Sequence, residues 1–111
     1  MQIFPHRTTP EIDVEELARL VESGSVRILD VREDWEYRRG RVPGAISLPL
    51  GRLTAQAAGL PRDKPYAVVC EHGNRSLAAT DYLLSQGFEG AASVRGGTTA
   101  WARTQRPLEK D

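Results

Sequence analysis

Between Cys70 and Ser76 the chain gathers a thiol, a carboxylate, an imidazole, an amide, a guanidinium and a hydroxyl around one glycine. The apolar run Tyr66–Val69 leads into Cys70, the only cysteine, and reads as a buried strand. Beyond the loop, Leu77, Ala78, Leu83 and Leu84 recur with helical spacing, so Ser76 is expected to open a helix. A strand, a tight polar loop and a helix N-terminus in that order build an anion site. Loop N–H groups converge inward, and the first helical turn leaves its own N–H groups unpaired. A thiol at the centre of such a nest is expected to have a lowered pKa and to react as the thiolate. On residue type alone, a single cysteine at a strand end reads as a buried, inert thiol. The polar loop reverses that reading: Cys70 is expected to be a nucleophile and the loop through Arg75 its cradle.

Two further groups fall where they can join this loop. Val26–Val31 reads as a strand, with Asp30 and Arg32 at its C-terminal end. Ala91–Val94 reads as another, followed by Gly96 and Gly97. In an open α/β sheet that edge is where ligands bind. Asp30 and Arg32 have a second reading that is compatible with the first, in which Asp30 caps a turn and Arg32 fixes a loop through an ion pair. Trp35 is expected in the core rather than as a ligand platform. Arg38, Arg39 and Arg41 read as a solvated face, with a partner-docking patch as the weaker alternative, and His6 as a solvated surface residue.

The remaining elements must position these groups. Met1–Pro10 reads as an extended lead-in, with Thr8 and Thr9 suiting a short edge strand. Asp13–Glu22 is a helix: Asp13 is a good N-cap, and Glu16 stands three residues on, as in a capping box. Val14, Leu17, Leu20 and Val21 make one apolar face, and Gly24 closes the helix. Glu33–Arg39 is a short helix ending at Gly40, and Val42–Ala45 is a turn built on Pro43 and Gly44. Ile46–Leu48 is a strand and Leu50–Leu60 a weak helix with Leu53 and Ala57 inward. Ser76–Gln86 follows the loop, Thr98–Arg103 makes a last helical turn or two with Trp101 inward, and Arg106–Asp111 reads as a tail. Strands alternating with helices predict an α/β domain whose mainly parallel sheet of about five short strands is covered by helices on both faces.

The chain has 111 residues, 40% apolar and 27% charged, with fifteen basic and fifteen acidic side chains. These values predict one soluble domain over 1–111, with a core over about 10–107, a lead-in over 1–9 and a tail over 108–111. Zero net charge argues against a nucleic-acid binder. No apolar run approaches membrane-spanning length, and the N-terminus lacks the pattern of a signal peptide. A single cysteine forms no internal disulfide, so a cytoplasmic, reducing setting is expected.

With these residues in place, the chain resembles the single-domain rhodaneses, the thiosulfate sulfurtransferase family. Three segments carry the resemblance: Asp30–Glu33 with Glu36 and Gly40–Ala45; Cys70–Ser76; and Val94–Gly97 with Trp101. The resemblance implies a sulfurtransferase. Cys70 takes the outer sulfur of thiosulfate or a thiol persulfide and becomes a persulfide. It then passes the sulfur to a thiophilic acceptor such as cyanide, a thiol or a protein. The backbone of Glu71, His72, Gly73, Asn74, Arg75 and Ser76 becomes the substrate cradle, and Asp30, Arg32, Gly96 and Gly97 support it. Arg75 would hold the donor's sulfonate or brace the loop, and Ser76 would cap the helix and bond the sulfur. No metal or organic cofactor is implied, nor a nucleic-acid or membrane partner.

Two positions depart from the family pattern. Glu71 stands where a basic residue often follows the cysteine, and an inward carboxylate there would repel a dianionic donor. Arg41 replaces a frequent histidine in a turn. The alternatives are a sulfur-carrier or partner-binding module with little free turnover, and a cysteine-dependent phosphatase. The phosphatase is disfavoured because only four residues separate Cys70 from Arg75, where phosphatase loops have five.

Overall fold

A strand such as Tyr-Ala-Val-Val, apolar on both faces, has to be covered on both faces, and parallel sheets meet that need with crossover helices. The computed structural model, which describes residues 8–111, is built this way. Its elements run β1 (Glu11–Ile12), α1 (Val14–Glu22), β2 (Arg27–Asp30), α2 (Asp34–Arg39), β3 (Ile46–Ser47), α3 (Leu50–Gln56), a 3-10 turn (Ala57–Gly59), β4 (Tyr66–Val69), α4 (Arg75–Ser85), β5 (Ala92–Val94) and α5 (Gly97–Arg103). The five strands form one sheet in the order β1-β5-β4-β2-β3. Every pairing is parallel.

The central strand β4 pairs residue for residue with β2, from Arg27 opposite Tyr66 to Asp30 opposite Val69. Cys70 and Val31 therefore leave the sheet side by side at its C-terminal edge. One face of the sheet packs Leu29 and Val68 against Leu53, Ala57, Ala79 and Leu83 of α3, the 3-10 turn and α4. The other packs Ile28, Ala67, Val69 and Val94 against Val14, Leu17 and Trp101 of α1 and α5. Each fully buried Val or Leu contributes about 1.5–3 kcal/mol by leaving water, so the two layers clamp the strand ends that carry the loop.

Helix α1 starts where Asp13 accepts a 2.8 Å hydrogen bond from the Glu16 N–H. It ends with Gly24 at φ +71°. Four expectations need correcting. Trp35 is 57% exposed, the one exposed large apolar side chain among the described residues. Two positions on, Tyr37 takes the inward side of the short α2, and its hydroxyl donates to the Ala45 carbonyl. In α4 the buried face is Ser76, Ala79, Thr80 and Leu83, not Leu77 and Ala78. The helix begins one residue earlier than the apolar spacing suggested, which rotates small and hydroxylated side chains inward under the loop.

The edge strand is Glu11–Ile12 rather than Thr8–Thr9, placed by the Ser93 N–H donating to the Pro10 carbonyl and the Arg95 N–H to the Ile12 carbonyl. The last residues are not a loose tail. Arg41 and Glu109 pair as an antiparallel bridge, and Leu108 packs on the core layer containing Trp101. Arg41 also meets Asp111 at 2.8 Å. The reading of His6 falls outside the described residues.

Candidate active site

The Cys70 side chain is 1% exposed. The thiol donates to the Ser76 hydroxyl oxygen at 3.4 Å, and two N–H groups donate to its sulfur, that of Gly73 at 3.2 Å and that of Ser76 at 3.3 Å. These are the inward-turned amides of the loop and of the first turn of α4. Gly73 makes the turn possible at φ +100°, and a Cβ there would stand 3.0 Å from the Gly96 nitrogen. Ser76 is not the cap: Asn74 holds that position, without a side-chain capping bond. One residue into the helix after Arg75, Ser76 instead turns its hydroxyl onto the sulfur and onto the Ser93 hydroxyl, 2.7 Å away. The sulfur therefore faces a concentration of positive partial charge that is fixed before any reaction begins.

The loop is held from three sides. Arg75 points its guanidinium at Glu36 of α2, with two short bonds of 2.7 and 2.9 Å. It braces the loop in this structure. On the second side, the carbonyls of Cys70 and Glu71 accept from the backbone N–H groups of Thr98 and Thr99, at 2.9 and 3.1 Å. This turns both peptide planes toward the start of α5, with Gly97 packed directly against them. On the third side, Asp30 is fully buried and makes a two-pronged pair with Arg32, which is 4% exposed. Arg32 also donates to the Gly40 carbonyl at 2.7 Å. Burial works against the Arg32 charge, but hydrogen bonding and the negative charge of Asp30 outweigh it and raise its pKa. Breaking such a pair leaves a buried charge alone, at a cost of about 3–5 kcal/mol.

Glu71 does not occupy the loop. Its carboxylate accepts from the Thr98 and Thr99 hydroxyls at 3.3 and 3.4 Å and faces Arg32 at 3.6 Å. The side chain most suspected of repelling an anion is thus turned to the flank and compensated there. His72 and Asn74 are exposed on the rim. The structure brings Cys70, Gly73, Ser76, Arg75, Asp30, Arg32, Gly96 and Gly97 to one sheet edge. Residue spacing alone left four contributors without a role: Glu36, Ser93, Thr98 and Thr99. Glu36 had a signal, since it stands three residues after Glu33 and accepts from its N–H. Ser93 had a weaker one, as a polar residue inside an apolar strand. For the threonines the only signal was their place after the paired glycines.

The Glu36–Arg75 pair makes stability depend on pH. The Arg75 hydrogen bond is the largest cause holding the Glu36 carboxyl down, from an ordinary 4.5 to about 2. The folded state therefore keeps Glu36 ionised where the unfolded chain protonates it. The stabilisation is full above about pH 5 and is lost as pH falls from about 4.5 to 2. The difference in melting temperature between wild type and Glu36→Gln should be constant from pH 7 to about 5 and shrink steadily below that. A gap that does not shrink would remove the ion pair as its source.

A buried cysteine sulfur held by backbone N–H groups at the C-terminal edge of a parallel sheet marks the candidate site of this small α/β domain. The model of the Rhodanese-like domain family matches residues 13–104, and the chain belongs to that family. A sulfurtransferase of Allochromatium vinosum is 35% identical over 88% of this chain and 92% of its own length. The thiosulfate sulfurtransferase GlpE of Shewanella oneidensis is 36% identical over 91% and 95%. Among solved structures, a rhodanese-related protein of Thermoplasma volcanium superposes with a TM-score of 0.83 at 34% identity, covering 92% of this chain and 99% of that one. Relatives with these names, matched over nearly their full lengths, support sulfurtransferase activity in general.

Proposed function

We propose that the chain transfers a sulfane sulfur, from thiosulfate or a thiol persulfide, through a persulfide on Cys70 to a thiophilic acceptor. The observation that carries this reading is the pair of backbone N–H groups, of Gly73 and Ser76, aimed at the Cys70 sulfur. In the first step the Cys70 thiolate attacks the outer sulfur of thiosulfate. A new S–S bond forms, the bond to the sulfonate sulfur breaks, and sulfite leaves with the electron pair. In the second step the acceptor, such as cyanide or a thiolate, attacks the outer sulfur of the persulfide, and the electron pair returns to Cys70 as thiolate. Splitting the transfer in two lets one nucleophile serve both halves. The Gly73 and Ser76 N–H groups stabilise the negative sulfur in each half without reorganising.

No cofactor is needed for either step. Small sulfur donors and acceptors suffice as partners, and a lone cysteine suits a reducing compartment such as the cytoplasm. A phosphatase is less favoured, because the guanidinium that would hold a phosphate is committed to Glu36.

Intact mass before and after thiosulfate, then after cyanide, tests the reading. Wild type should gain about 32 Da, the mass of one sulfur, mapped to the Cys70 peptide and removed by cyanide. No gain with thiosulfate or any small persulfide would refute it.

A further inference from the structure

Ser93 is a hydroxyl where the fold otherwise selects apolar side chains. It lies on the interior strand β5, opposite Val68 of β4 on one side and Glu11 of β1 on the other, and it is fully buried. Burying a hydroxyl costs free energy unless it is hydrogen-bonded. The one side-chain partner of Ser93 among the described residues is the Ser76 hydroxyl, 2.7 Å away. Ser76, also fully buried, stands 3.4 Å from the Cys70 sulfur. A thiol and two hydroxyls thus form one row that ends inside the protein. The proton count of this row differs between the two states of the sulfur. With the thiol protonated, Cys70 donates to Ser76 and Ser76 to Ser93, and the Ser93 proton has no acceptor among the described residues. With the sulfur ionised and its proton passed to water, both hydroxyls rotate. Ser93 donates to Ser76, and Ser76 donates to the sulfur. Each hydroxyl proton then has an acceptor, and no heavy atom has moved.

We infer that Ser93 is a positioning residue for the sulfur: it holds the Ser76 hydroxyl on Cys70 and, when the thiol ionises, makes that hydroxyl a third donor to the thiolate. This role rests on the sulfur-transfer reading and adds a residue to it, since the thiolate is the form that attacks the sulfur donor. Ser93 acts in two ways. It keeps the Ser76 hydroxyl from turning to a carbonyl of its own helical turn, as serines in helices do. By donating to Ser76 it also polarises the Ser76 O–H and strengthens that group's bond to the sulfur. Ser93 makes no hydrogen bond to the sulfur itself, so its effect passes through Ser76 alone. The charged groups around the loop are bound to one another: Asp30 and Glu71 to Arg32, and Glu36 to Arg75. On β5, Arg95 faces Glu11, and His72 is exposed on the rim. A Ser93 substitution replaces none of them.

Intact mass follows two rates at Cys70 from about pH 5 to 10. One is alkylation by iodoacetamide, which needs a thiolate and no sulfur transfer; the other is sulfur uptake from thiosulfate. Ser93→Ala should slow both about ten-fold on the acid side of the profile, as for the loss of one hydrogen bond to a charged group. On the alkaline side, where the thiol is ionised in either protein, it should approach wild type. Ser76→Ala should shift the profile in the same direction. The double variant should be no slower than Ser76→Ala, because residues that act through one another are not additive. Ser93→Thr, which keeps the hydroxyl, should restore the wild-type profile. An equal loss at every pH, a Ser93→Ala profile that overlays wild type, or losses that multiply in the double variant would each overturn the role. So would a Ser93→Thr protein that melts like wild type yet reacts like Ser93→Ala. An alkylation profile that shifts as expected while no protein takes up sulfur would uphold the action of Ser93 on the thiolate and remove the sulfur-transfer reading, so either can fall alone.

Discussion

Cys70→Ser is expected to take up no sulfur from thiosulfate or any persulfide and to lose turnover on the order of 10³-fold or more, while melting within a few degrees of wild type. The loss follows from the nucleophile. A serine hydroxyl is almost entirely protonated at neutral pH, and an oxygen cannot carry a sulfur atom as a persulfide does. The retained stability follows from the cradle. The Gly73 and Ser76 N–H groups are buried and point at position 70, so they need an acceptor, and a serine oxygen supplies one. Cys70→Ala makes the contrast. It removes the acceptor from both donors at once, and a buried unsatisfied donor costs about 1–3 kcal/mol. Cys70→Ala should therefore melt clearly below Cys70→Ser, although both are inactive. Intact mass and thermal melting of the two variants read these effects independently. Sulfur uptake by Cys70→Ser would refute a persulfide carrier, since Cys70 is the only thiol in the chain. Equal melting of Ser and Ala would mean that the N–H groups do not depend on the sulfur.

The sheet, the strand feeding Cys70 and the gathering of Asp30, Arg32, Gly96 and Gly97 at its edge were legible in the sequence. β-branched runs bounded by glycine and proline, alternating with 3.6-period segments, leave few other arrangements. Trp35 was not legible. Hydrophobicity alone places a tryptophan inside, and only the three-dimensional position of Tyr37 shows that the inward side of α2 is already taken. The start of α4 departs from the apolar spacing for a related reason. Apolar spacing marks the buried face only where the helix packs on apolar groups. Here the N-terminal turn packs under a sulfur site, and Ser76 and Thr80 take the inward positions. The direction of Glu71 was also beyond the sequence, because Thr98 and Thr99, which hold its carboxylate, are brought to it by the crossover from β4 to β5. Local capping, turn and strand signals are written in neighbouring residues. Partners 27 and 28 positions apart are set by topology.

Gly97→Ala is expected to be the most damaging single-methyl addition at the sheet edge. A Cβ built there would lie 2.0 Å from the Cys70 carbonyl oxygen and 2.7 Å from that of Glu71. Both obstacles are backbone, so no rotamer change relieves them, and α5 has to back away from the loop. That motion stretches the bonds from Thr98 and Thr99 to the same two carbonyls, each contributing about 0.5–1.5 kcal/mol. It also releases the Glu71 carboxylate from the threonine hydroxyls. The backbone at φ +58° adds about 1–2 kcal/mol of strain for any side chain. The total is about 3 kcal/mol or more, a fall in melting temperature on the order of 10 °C for a domain of this size. Sulfur uptake should fall with it, because the peptide planes held at α5 are those that begin the cradle. Gly24→Ala separates the causes. Its φ of +71° imposes a similar strain, but nothing lies within 4 Å of the added methyl, so it should cost only about 1–2 kcal/mol and leave sulfur uptake unchanged. If the two variants melt alike and both take up sulfur, backbone strain is the whole effect at Gly97, and the contact between α5 and the loop does not position the thiol. If Gly97→Ala alone loses sulfur uptake under conditions where it remains folded, the close approach of α5 is part of what aims the Cys70 sulfur at its donors.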